Sequence, residues 1–101
     1  MNLSMINQAR QLKSKLDEVQ KELANTEVVA EAGKGAVKVT ANGQQQILSV
    51  TISPTAMDPE HPEQLERLII KAINEAQAKS QKVANKKMKS ITGGLKIPGL
   101  F

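Results

Sequence analysis

Two long helical periods bracket three short strands in this sequence, and their lengths do not match. From about Leu3 to Asn25, the residues Met5, Ala9, Leu12, Leu16, Val19 and Leu23 recur at alternating steps of four and three, with polar and charged residues between them. That spacing predicts a helix with a narrow apolar seam, which suits a partner helix better than a broad sheet face. A second helix is predicted from Pro62, where Leu65, Ile69, Ala72, Ile73, Ala76, Ser80 and Val83 share one face and Met88 and Ile91 extend it weakly. A start at Pro59 would put Pro62 where an intrahelical N–H is needed, so the helix begins at Pro62 and ends at Gly93-Gly94. Between the helices the period is two. Val28, Ala30 and Ala32, then Val37, Val39 and Ala41, alternate with other residues around a Gly33-Lys34-Gly35 turn. Asn42-Gly43 predicts a tight type I′ hairpin leading to a third strand, Ile47 to Ile52.

The expected architecture is α+β, in the order α-β-β-β-α, with a three-stranded antiparallel meander. One domain is expected over residues 1–92, followed by a Gly- and Pro-containing tail over 93–101. At 1.5 Å per residue the two helices span ~35 and ~45 Å, whereas strands of this length span only ~17–20 Å. The helices must overhang the sheet, with their seams buried against each other or against another chain. Three strands also leave two open edges, and a two-fold dimer would relieve both problems.

Composition removes whole classes of function. With no Cys there is no disulfide, thiol nucleophile or zinc knuckle. The lone His61 lies between Pro59 and Pro62 and is read as a residue of the helix approach, neither catalytic nor a ligand. No apolar run approaches the ~20 residues of a membrane span, and no signal pattern opens the chain, so a soluble cytoplasmic protein is expected. No catalytic residue, cofactor, metal site or small-molecule substrate is expected; Gly33-Lys34-Gly35 and Gly93-Gly94 are turn and cap signals.

The net charge of +4 is unevenly placed. Residues 1–61 carry a net −1 and residues 62–101 a net +5, and from Gln77 onward there are six lysines and no acid. Lys79, Lys82, Lys86 and Lys89 step by three, four and three, forming one stripe beside the apolar seam. Arg10, Lys13 and Lys15 form a smaller group on the first helix. A solvated lysine face would normally mix signs to gain i,i+4 pairs, and this one does not. These seven residues are the candidate contacts to a polyanion. With one Phe, no Tyr and no Trp, stacking on single-stranded bases is nearly unavailable, and two arginines offer little base-specific reading. Lysine-rich contact to duplex phosphates, weakly selective and strongly salt-dependent, is the expected mode.

The pattern resembles the YbaB/EbfC nucleoid-associated proteins of bacteria. The residues that carry the resemblance are Gln8-Ala9-Arg10, the stretch from Gly33 to Gly43, Ile52-Ser53-Pro54, Leu65-Glu66-Arg67-Leu68-Ile69 with Ala72-Ile73-Asn74-Glu75-Ala76, Lys87-Met88, Thr92-Gly93-Gly94-Leu95 and Pro98-Gly99-Leu100. It implies a tweezer-like homodimer with helical arms on a β body, binding double-stranded DNA, with a role in nucleoid organisation and gene regulation. Localisation at the nucleoid follows from the same resemblance, and no membrane partner is expected. The chain departs from the family's usual residues at Arg67, Ser53 and Ile73. A prefoldin-like protein-interaction module, whose paired helices also project from a β body, is the alternative.

Overall fold

The computed structural model describes residues 2–92. Helix α1 spans Leu3–Ala24, strands β1, β2 and β3 span Glu27–Ala32, Val37–Asn42 and Ile47–Ile52, and helix α2 spans Pro62–Thr92. The expected tail over 93–101, and the stop at Gly93-Gly94, lie outside the described residues. The strands form one antiparallel sheet in the order β1-β2-β3.

Period-two alternation puts one apolar face on the sheet, and α2 lies on it. Ala30 opposes Val39 and Ala32 opposes Val37, and these four residues with Ala41, Ala72 and Ala76 form the buried core. Alanines on both sides let the helix approach closely, so a core of small side chains excludes water without aromatic residues. Leu65, Leu68, Ile69 and Ile73 of α2 close its margin. The core face of β3 is left open. Val50 pairs with Val39 and shares its face, yet Val50 is 42% and Leu48 50% exposed.

The first strand turn uses three consecutive residues of positive φ, Gly33, Lys34 and Gly35, which explains its two glycines. The second turn differs from the expected type I′ hairpin. Asn42 ends β2 and the loop runs over residues 43–46, with Gln45 as its one positive-φ residue. The physical reason for Gly43 is space: a Cβ there would lie 2.7 Å from Leu23 Cδ2 and 2.9 Å from the Leu23 carbonyl oxygen.

The helices overhang the sheet as their lengths require. The chain extends 68 Å along its longest axis and its radius of gyration is 19.3 Å, against ~13 Å for a compact chain of this size. The first 19 of the 31 residues of α2, up to Ser80, lie on the body; the rest runs beside α1 away from it. Val19 and Leu23 of the α1 seam are buried, and Leu12 and Leu16 are half-buried.

Candidate nucleic-acid interface

The loop between β2 and β3 fixes both arm helices to the body. The Gly43 N–H donates to the Leu23 carbonyl at 2.8 Å. Asn42 Nδ2 donates to the Ala24 carbonyl at 3.3 Å and to Gln46 Oε1 at 2.7 Å, while its Oδ1 accepts the N–H groups of Gln44 and Gln46. All four hydrogen-bonding positions of this buried amide are filled. Gln44 Nε2 reaches the Gln20 carbonyl of α1 at 3.1 Å. On the other side, the fully buried Ser80 of α2 accepts the Gln45 N–H at 2.9 Å and donates to the Asn42 carbonyl at 2.6 Å. The Gln45 and Gln81 side chains are also bonded. Five successive residues thus set where α1 enters the body and where α2 leaves it.

Charge is segregated along the same axis. All ten acids lie between Asp17 and Glu75. Residues 3–16 of α1 hold Arg10, Lys13 and Lys15 with no acid, and α2 beyond Glu75 holds Lys79, Lys82, Lys86, Lys87 and Lys89 with no acid. The helices standing clear of the body therefore become purely basic toward their far ends.

The seven candidate residues do not all share one surface. Lys82, Lys86 and Lys89 occupy one exposed flank of α2. Lys79 sits at the body, where its Nζ donates to the Val29 carbonyl of β1 at 2.6 Å. This contact lies on the outer edge of β1 and blunts it against further strand pairing. Arg10 and Lys13 lie on one flank of α1, whereas at 100° per residue Lys15 falls roughly 140–160° away from them. Lys87, off the stripe, pairs with Glu22 of α1 at 2.9 Å and joins the two arm helices. Sequence reasoning missed the loop residues that hold the arms; a serine in the middle of an apolar seam was the available signal for Ser80.

The segment before α2 gathers Asp58, Glu60 and His61, whose donor atoms lie within 4.8 Å of one another on exposed side chains. Their bonds are internal to the turn: Asp58 Oδ1 accepts the Glu60 N–H at 3.0 Å, and Asp58 Oδ2 lies 2.9 Å from His61 Nδ1. The histidine bond, and secondly the Glu60 N–H, hold the Asp58 carboxyl below its ordinary value of 3.8. This turn begins α2 at the body and belongs to no basic surface. No helix among the described residues is long and apolar enough to cross a membrane.

A model of the YbaB/EbfC DNA-binding family matches residues 1–95. The chain belongs to that family. Its relatives include a nucleoid-associated protein of Pelotomaculum thermopropionicum, 45% identical over 97 residues, which cover 96% of this chain and 92% of that one. A nucleoid-associated protein of Chloroflexus aurantiacus is 43% identical, with 96% of this chain and 95% of the relative covered. In fold, the chain is similar to an uncharacterized protein from Helicobacter pylori, at a TM-score of 0.72 and 18% identity, over 94% of this chain and 97% of the other. Membership of a DNA-binding family gives the basic arms a polyanion to meet.

Proposed function

We propose that the protein is a nucleoid-associated, duplex DNA-binding homodimer that holds DNA between its helical arms, mainly through phosphates, in the bacterial cytoplasm. The observation that carries this reading is the confinement of every acid to Asp17–Glu75, while the arms beyond carry only bases. Arg10, Lys13, Lys82, Lys86 and Lys89 are the proposed phosphate contacts. Lys79, tied to β1, and Lys15, on the opposite flank of α1, are expected to contribute less.

The open strand supports the dimer. Lys79 covers part of the β1 edge, whereas every β3 residue except Ile52 is exposed and its core face presents Leu48 and Val50. A second copy placed there would bury apolar surface continuous with the core and occupy an unpaired edge. Two subunits would supply two pairs of arms.

Binding to labelled duplex, single-stranded DNA and RNA by anisotropy tests this reading. Duplex DNA is expected to bind most tightly, and Lys82→Glu/Lys86→Glu to remove about four of the dimer's phosphate contacts, lowering the salt slope by about 4. Unchanged binding by that variant would refute the site, and a nuclease-insensitive protein partner in place of DNA would favour the interaction-module alternative.

A further inference from the structure

The first turns of α1 expose apolar side chains that no described residue covers. Leu3 is 75% and Met5 62% exposed, the two most exposed large apolar side chains among the described residues. Helix length explains why. From its end at Ala24, α1 runs back ~33 Å, whereas the described part of α2 past Ser80 runs ~18 Å, so α1 extends ~15 Å beyond the described part of α2.

This tip is basic as well as apolar. Leu3, Ile6, Arg10 and Lys13 step by three, four and three and so form one stripe, and Met5, Ile6, Ala9, Arg10 and Lys13 line a shallow recess along that flank. No acid occupies the first helical turn, so the positive end of the helix dipole is not neutralised from within. Helical side chains lean toward the N-terminus, which aims the apolar and basic groups toward the start of α1.

We propose that the α1 tip is a minor-groove wedge: Leu3, with Ile6 on its own flank and Met5 on the other side of the same turn, enters between base steps, and Arg10 and Lys13 hold the phosphates at the groove rim. The proposal rests on the duplex-binding reading above. The dimensions suit it. The groove is ~7.5 Å deep, and Arg10 lies ~10 Å behind Leu3 along the helix, so with the tip at the groove floor its guanidinium reaches the rim. A helix ~10 Å across does not enter a groove ~6 Å wide unless that groove opens, so insertion must bend the duplex toward the major groove. The exposed Asn7, Gln8 and Gln11 interleave with the apolar residues and can bond base edges in the groove. They also interrupt the continuous apolar face that an anionic membrane surface would require.

Two signals on one duplex of about 30 bp test this: energy transfer between end labels for bending, and 2-aminopurine fluorescence for unstacking. Wild type is expected to shorten the end-to-end distance and raise the fluorescence. Leu3→Ser/Met5→Ser should keep its affinity within about threefold, because phosphates carry most of it, and lose both signals. Leu3→Phe should retain both signals, and circular dichroism should show the same helix content in all variants. Wild-type binding without bending or unstacking, or full signals from the double variant, would overturn the wedge and leave duplex binding standing. Failure of wild type to bind duplex DNA would overturn both. Binding to phosphatidylglycerol vesicles that the double variant loses, with no change in the DNA signals, would overturn it in favour of a membrane face.

Discussion

Replacing Gly43 with alanine probes the joint between arm and body at its tightest point. The added methyl would lie 2.7 Å from Leu23 Cδ2, 2.9 Å from the Leu23 carbonyl oxygen and 3.1 Å from Leu23 Cα. Leu23 is 2% exposed, so its side chain has no free space to rotate into, and its carbonyl already accepts the Gly43 N–H at 2.8 Å. Relief requires the end of α1 to move, which weakens that bond and strains the Asn42 contact to Ala24. Overpacking of this kind costs about 1–3 kcal/mol and a weakened hydrogen bond about 1 more, against a gain of about 0.5 from the stiffer unfolded chain. A net loss of about 2–3 kcal/mol is expected, or a Tm lower by roughly 10–20 °C, compared at equal protomer concentration. Leu23→Ala in the same background should relieve only part of the strain, since the 2.9 Å backbone contact remains. A Gly43→Ala protein melting within about 2 °C of wild type, well inside the ~4 °C expected for even 1 kcal/mol, would refute the close-approach argument.

Ser80→Ala should cost about 1–2 kcal/mol in urea unfolding, because it removes both hydrogen bonds of the buried Ser80 Oγ while the Gln45 N–H and the Asn42 carbonyl keep their mutual bond at 3.1 Å. Val50→Asp, placing a charge on the open β3 face, should shift the mass measured by light scattering from dimer to monomer while leaving the circular dichroism of the α-β-β-β-α fold in place. The lowered carboxyl of Asp58 contributes stability that is present above 3.8 and lost as pH falls through its lower folded value. Melts of Asp58→Asn should therefore differ from wild type by a constant small amount at neutral pH and converge at acid pH, with duplex affinity unchanged.

Local chemistry made much of this fold legible. Third-strand alternation marked Ile47–Ile52, and the proline argument placed the start of α2 at Pro62. The length mismatch foretold projecting helices because rise per residue is fixed by backbone geometry. Asn42-Gly43 correctly marked a turn, but through different physics: the asparagine caps a four-residue loop and the glycine admits the backbone of α1, 20 residues earlier in sequence. Such long-range contacts leave no periodic trace. The lysine stripe was visible for the same reason as the seams, whereas the bond from Lys79 to Val29 joins residues 50 apart and emerges only when β1 and α2 meet. Grouping Lys15 with Arg10 and Lys13 followed sequence proximity, which the helical rotation overrides.

The central claim is that phosphate contacts from the arms of a dimer supply most of the affinity, and its most direct test is the salt dependence of duplex binding. With Arg10, Lys13, Lys82, Lys86 and Lys89 engaged in both subunits, log affinity should fall against log salt with a slope as steep as about −9, a loss of about 10⁵ between 50 and 200 mM. A slope shallower than about −2, with affinity retained across that range, would contradict it.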